Sequence, residues 1–125
     1  MKTPLSFLLL VEILSSIETA KRQKMKLVVT ADGGFMSSKF CPNFEECEQL
    51  IIYDLEDKMY GSRKSPSFQN KNKSVLIDFL KKTYMTHIIT GKDIGDEYFT
   101  VYIPRNKDAT VEEVLIEYMD TVLSK

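Results

Sequence analysis

Hydrophobic and polar positions change period several times along this chain, and each change predicts an element. Lys26 to Ala31 (KLVVTA) is a short, continuous apolar run, as expected of a strand covered on both faces. Asp32-Gly33-Gly34 ends it with residues that tolerate positive φ and tight turning. Phe35 to Glu48 keeps no period and contains Pro42, which predicts an irregular loop with room for one helical turn. Gln49 to Leu55 resumes a strand, and Glu56-Asp57-Lys58 predicts a hairpin turn into Met59 to Ser62. Arg63 to Lys73 is polar, with Pro66 and two asparagines, and reads as a mobile connection.

From Ser74 the period becomes helical. Val75, Leu76, Phe79, Leu80 and Tyr84 form one apolar stripe, while Asp78, Lys81 and Lys82 face water. His87 to Thr90 predicts a strand stopped by Gly91, and Tyr98 to Ile103 alternates cleanly until Pro104. Thr110 and Glu113 have capping-box spacing, ahead of Val111, Val114, Leu115, Tyr118, Met119 and Val122 at helical spacing. Three strands, a helix, two strands and a helix predict one α/β domain, a mixed sheet with helices on its faces. No internal repeat is visible.

The first 24 residues follow a different pattern. Leu5, Leu8, Leu9, Glu12, Ile13, Ser16 and Ile17 share one broad helical face, with Thr3 placed to cap and Pro4 in the first turn. A secretory signal is disfavoured: Glu12 breaks the apolar run, no small-x-small cleavage site precedes Lys21, and the basic KRQK follows. The run also falls short of the roughly 20 apolar residues that span a bilayer. Two readings remain for this stretch, an amphipathic helix that packs on the body or a second copy, or a start placed too far upstream of Met25.

Composition narrows the function classes. The 125 residues suffice for one modest core, and 43% hydrophobic content is that of a globular chain. Seventeen basic against eighteen acidic residues exert no global pull on nucleic acid or anionic membrane. Two cysteines are too few for a disulfide framework, which favours a reducing, cytoplasmic setting.

An ordered set of motifs gives a sharper expectation. KLVVTADGG is followed by Ser37-Ser38-Lys39-Phe40, by LIIYD ending at Asp54, and by Leu55-Glu56-Asp57. HIITGKDIG then spans His87 to Gly95, and ATVEEVLIEYMDTVL spans Ala109 to Leu123. From Met25 onward this order resembles the dinitrogenase iron–molybdenum cofactor biosynthesis domain family. That family has a strand, an Asp/Gly turn, Ser-x-His-Phe, a hydrophobic strand ending in Tyr-Asp, an Ile-Gly turn and a closing Thr-Val-Glu-Glu helix. The resemblance implies a five-stranded, ribonuclease H-like sheet and a domain that binds or carries a metal cofactor precursor without catalysis. An iron–sulfur or iron–molybdenum cluster would then meet Asp32, Gly33, Ser37, Lys39, Phe40, Gly91 and Gly95. A metalloprotein, a cofactor-assembly protein or a second copy of the chain would be the partner. The chain departs from the pattern in three places. Lys39 replaces the motif histidine, the helix after the Ile-Gly turn is truncated before Tyr98, and extra residues lie between Phe40 and LIIYD.

Those extra residues carry both cysteines. Soft thiolates suit zinc, copper(I) and iron–sulfur clusters, so Cys41 and Cys47 are the candidate metal ligands. A cluster usually wants about four protein ligands, and C-x5-C is not a zinc spacing. The pair therefore also reads as a buried filler with an incidental loop cysteine, or as a redox couple. Glu45, Glu46 and Glu48 beside them would raise thiol pKa values. His87 is the sole histidine, so no Cys/His or Ser/His catalytic pair can be assembled without it. Asp32 and Asp54 at strand ends admit a magnesium-dependent nuclease as a further reading, although both also suit turns. Neither glycine cluster matches a phosphate loop, but Lys39 and Lys92 near these turns could attract an anion. The expected function is a non-enzymatic metal-cofactor carrier. The alternative is an interaction or regulatory module that kept the fold and lost the metal.

Overall fold

The computed structural model describes residues 26–123; the expectations for Met1 to Lys24 lie outside them. Strands β1 (Lys26–Ala31), β2 (Gln49–Asp54), β3 (Met59–Lys64), β4 (His87–Ile89) and β5 (Thr100–Tyr102) form one five-stranded sheet. Its order is β3-β2-β1-β4-β5. β1 pairs antiparallel with β2 and parallel with β4, and β4 pairs parallel with β5. The sheet is therefore mixed, as expected. Helix α1 (Lys73–Lys82) and helix α2 (Val111–Tyr118) supply the other layers, with a 3-10 turn at Phe44–Glu46 and a π-helical turn at Met119–Leu123. No helix among the described residues is long and apolar enough to cross a membrane.

Period-two alternation divides the core between the two faces of the sheet. Leu27, Val29, Ala31, Ile51 and Ile89 pack with Val111, Val114, Leu115 and Tyr118 of α2. Val28, Leu50 and Ile88 pack on the opposite side with Leu76 and Leu80 of α1. β1 is central and buried on both sides, which is why its sequence is a continuous apolar run rather than an alternating one.

Local chemistry sets the helix ends. Thr110 and Glu113 form the anticipated capping box at the start of α2. Asn72 caps α1 by accepting from the Ser74 N–H at 3.0 Å, so this helix starts at Lys73, one residue before the sequence suggested. Its apolar stripe differs from expectation. Leu76 and Leu80 are buried with Ile77 and Phe79 beside them, whereas Val75 is on the exposed side. Tyr84 lies beyond the helix with φ 59° and is 83% exposed, because a left-handed residue ends the helix and swings its side chain off the stripe.

Two connections also differ. The stretch from Arg63 was expected to be mobile, yet β3 continues through Lys64, Ser65 and Ser67 are buried, and Arg63 stacks over Phe79 at 4.4 Å. β5 is shorter than Tyr98 to Ile103. Asp96 accepts from the Tyr98 N–H through its side chain and from the Phe99 N–H through its carbonyl, which makes a turn ahead of Thr100.

Candidate functional site

Because β1, β4 and β5 are mutually parallel, their carboxyl ends lie along one edge of the sheet. The loops that follow them, 32–48, 90–99 and 103–110, gather there. Open α/β sheets hold ligands at this edge.

The first loop folds back on the strand that launches it. Asp32 N–H donates to the Lys39 carbonyl at 2.9 Å, and Cys41 N–H donates to the Thr30 carbonyl at 2.9 Å. Phe40 therefore bridges Ala31 as a short antiparallel pair, while Lys39 bridges Thr110. Alternation along this bridge sends Phe40 to the α2 side and Cys41 to the α1 side, both buried, and leaves Lys39 exposed. The turn between is closed by Ser38, whose hydroxyl accepts from the Phe35 N–H at 3.0 Å. A Cβ at Gly33 would lie 2.5 Å from that hydroxyl oxygen, so a larger residue there displaces the Ser38 side chain from the Phe35 N–H. Carbonyls of Ser38 and Met36 accept from the Val111 and Glu112 N–H groups at 2.9 Å each. The first turn of α2 is thus satisfied by the loop, and Ser37 remains at the surface.

The second loop is locked to the first. Gly91 N–H donates to the Pro42 carbonyl at 3.1 Å, and a Cβ on Gly91 would stand 2.3 Å from that oxygen. Beneath this contact the buried Thr30 hydroxyl donates to the Cys41 carbonyl at 2.6 Å and lies 3.0 Å from the Thr90 hydroxyl. Asp32, Gly33, Ser37 and Lys39 are therefore assembled with Gly91 at one platform, whereas Phe40, expected to meet the cofactor, is 0% exposed and packs in the core beneath it. Gly95 ends the same turn at φ 79°, its N–H held by Asp93, with open space where a side chain would be.

Cys41 and Cys47 sit beneath the platform, not on it. They are 5% and 0% exposed and belong to the same apolar cluster as Phe44 and Leu80. Their thiols donate to the carbonyls of Asn43 at 3.5 Å and Phe44 at 3.3 Å. Burial is the main force pushing the Cys41 thiol up to about 12 and the Cys47 thiol up to about 11. The carboxylate that adds to this rise is Asp32, not the neighbouring Glu45, Glu46 or Glu48 expected from the sequence. Among the described residues, no group of three or more His, Cys, Asp or Glu side chains is placed to hold a metal ion.

The remaining candidates lie elsewhere. His87 opens β4 at the opposite edge, with Nδ1 2.8 Å from the Thr86 hydroxyl. Asp54 accepts from the N–H groups of Glu56 and Asp57 at 2.9 and 3.1 Å and so belongs to the hairpin turn. It pairs with Lys26 at the start of β1, whereas Asp32 follows the end of β1. Six residues of strand put the two about 20 Å apart along β1, so they cannot share a magnesium ion.

Residues without a motif hold this edge together. Ser65 N–H donates to the Glu48 carbonyl at 2.9 Å, and the Ser67 hydroxyl donates to the Glu45 carbonyl at 2.9 Å. The supposed mobile connection is thus a clamp on the cysteine loop. Pro42, Thr30 and Thr90 act similarly. Thr30 carried the one available signal, a polar residue within an apolar strand.

No family model and no curated protein matches the chain. Two solved structures share its fold. The apo form of the orange protein from Desulfovibrio gigas superimposes with a TM-score of 0.64 at 16% identity, over 77% of this chain and 88% of that one. A candidate NifB protein from Thermotoga, a member of the DUF35 family, gives 0.60 at 18% identity, over 78% of this chain and 89% of its own. At these identities the likeness establishes a common small α/β fold.

Proposed function

We propose that this chain is a non-catalytic carrier for an anionic metal cofactor, of iron–molybdenum or iron–sulfur type, held against the loops at the carboxyl edge of β1 and β4. The observation that carries the reading is the locked platform of Asp32 to Phe40 and Gly91. It presents exposed Lys39 and Lys92, neither in an ion pair among the described residues. Support comes from the motif order, from the shared fold with an apo protein and a candidate NifB protein, and from the sheet order β3-β2-β1-β4-β5 with β2 antiparallel, which suits a ribonuclease H-like arrangement.

The buried, protonated thiols do not fit direct ligation of a cluster in this conformation. Lys39 cannot donate a lone pair to a metal as the family histidine would, but it supplies positive charge where that histidine stood. The cargo is accordingly held as an anion, by the charge of Lys39 and Lys92, and is passed to a metalloprotein or assembly partner. The experiment is anaerobic incubation with ferrous iron and sulfide, with and without molybdate, followed by visible absorption and metal analysis. Uptake that falls in Lys39→Glu/Lys92→Glu and persists in Cys41→Ala/Cys47→Ala supports the carrier. Uptake that depends on the cysteines alone overturns the anion cradle. The burial of both thiols favours the second reading, an interaction module without metal; complete absence of uptake by the wild-type chain would select it.

A further inference from the structure

Helix α2 spans only eight residues and lies over one face of a five-stranded sheet, so part of that face is left bare. Its inner residues Val111, Val114, Leu115 and Tyr118 are buried against the central strands. A groove of about 310 Å³ runs between α2 and the β2–β3 hairpin. Ile116 and Met119 line it from α2 and the π-helical turn, the paired Tyr53 and Tyr60 from the hairpin, and Met36 from the platform loop. Ile116 is 52% and Tyr60 42% exposed, so this apolar surface faces water.

The lining also holds two charges of opposite sign, Lys58 and Glu112. They stand at opposite ends of the groove. Glu112 N–H donates to the carbonyl of Met36, in the loop that leaves the carboxyl end of β1. Lys58 N–H donates to the carbonyl of Asp54, which pairs with Lys26 at the amino end of β1. Both residues are exposed, and neither is in an ion pair among the described residues. Glu56 and Asp57 share the turn with Lys58 but lie outside the lining.

We propose that this groove is a self-association surface, on which a second copy of the chain docks face to face about a twofold axis. An isologous contact requires a patch that is complementary to itself. A cation at one end of an apolar groove and an anion at the other meet that requirement. The axis passes between them, so Ile116 and Tyr60 of the two copies pack at the centre and each Lys58 meets the other copy's Glu112. An anionic lipid surface would leave Glu112 unmatched, and an acidic or a basic peptide would match one end only. Eight lining residues fall short of the roughly 20–30 per side of a standard interface, so the dimer is weak and forms as concentration rises. Lys39 and Lys92 of the platform lie outside the contact.

Sedimentation velocity on the full-length chain, over roughly 5–500 µM protein, tests the proposal. Wild type should pass from monomer to dimer across that range. Lys58→Glu alone and Glu112→Lys alone should each weaken the dimer at least about tenfold, because like charges then face each other twice. An equimolar mixture of these two variants should restore association, since every contact in the mixed pair again joins opposite charges. Ile116→Glu should hold the chain monomeric, with circular dichroism showing it folded. A wild type that stays monomeric throughout would overturn the proposal. So would a dimer that survives Ile116→Glu or either charge reversal, or a mixture no more associated than its separate variants.

Discussion

Gly91→Ala places a methyl group where the cysteine loop's backbone already sits. The added Cβ would lie 2.3 Å from the Pro42 carbonyl oxygen, 2.4 Å from its Cβ and 2.5 Å from its Cα. Carbon–carbon contacts have their optimum at about 3.5–4.0 Å, so the loop must retreat by about 1 Å. Two of the three clashing atoms are backbone, so no rotamer change relieves the contact. Overpacking of this kind costs about 1–3 kcal/mol. The retreat also breaks the Gly91 N–H to Pro42 carbonyl bond of 3.1 Å, adding about 1 kcal/mol. For a domain of this size a total of about 2–4 kcal/mol lowers the melting temperature by on the order of 10–20 °C. Gly61→Ala is the matched control, since a Cβ there meets nothing within 4 Å, and its effect should stay within about 1 kcal/mol. Thermal unfolding by circular dichroism and urea midpoints measure both. A Gly91→Ala protein as stable as Gly61→Ala would refute the claim that the two site loops are locked through this contact.

The other expectations concern the layers around the same edge. Thr30→Val leaves the Cys41 carbonyl and the Thr90 hydroxyl without their buried partner and should cost about 1–3 kcal/mol in urea unfolding; adding Thr90→Val should cost less than the sum of the two single changes. Thr110→Ala removes the half of the capping box in which the Thr110 hydroxyl accepts from the Glu113 N–H and should cost about 0.5–2 kcal/mol, read from the same curves. At pH 8 the folded thiols, pushed up to about 12 and about 11, should be thiolate in roughly one part per thousand or less, so iodoacetamide should label them only on unfolding. Because the cysteines stay protonated when folded but ionise near 9 when unfolded, unfolding releases protons above that pH. Their stabilising contribution should be complete below about pH 9 and decline toward pH 11–12; the Cys41→Ala/Cys47→Ala protein should lack that part of the loss.

Residues with strong local chemistry were legible in sequence. Thr110 and Glu113 announced α2, and the apolar runs KLVVTA and QLIIYD announced two strands of a mixed sheet; their antiparallel pairing comes from the structure. The meeting of the Asp32 to Phe40 loop with Gly91 is implied by the family resemblance alone, since the local pattern shows only two glycine-marked turns. What joins them is a contact between Gly91 and Pro42, 49 positions apart, and no local period encodes it. Ser65 and Ser67 were hidden by polarity. Serine in a polar stretch looks solvated, and only tertiary partners in the cysteine loop reveal that these two are buried. The cysteines were misleading for the converse reason. Their sulfur suggested a ligand, whereas packing against Phe44 and Leu80 places them in the core. Tyr84 kept helical spacing but lost the helix one residue after Thr83, whose hydroxyl turns back to the Phe79 carbonyl at 2.9 Å.

The central claim is that the carboxyl edge of β1 and β4, not the hairpin or α2, receives an anionic metal cofactor. Amide NMR shift mapping tests it most directly, with the 15N-labelled chain titrated anaerobically with preassembled iron–sulfur cluster. The account predicts shifts or broadening confined to Asp32 to Cys41 and Gly91 to Gly95, abolished in Lys39→Glu/Lys92→Glu. Perturbation centred on Tyr60 and Ile116, or none at cluster concentrations well above that of the protein, would contradict it.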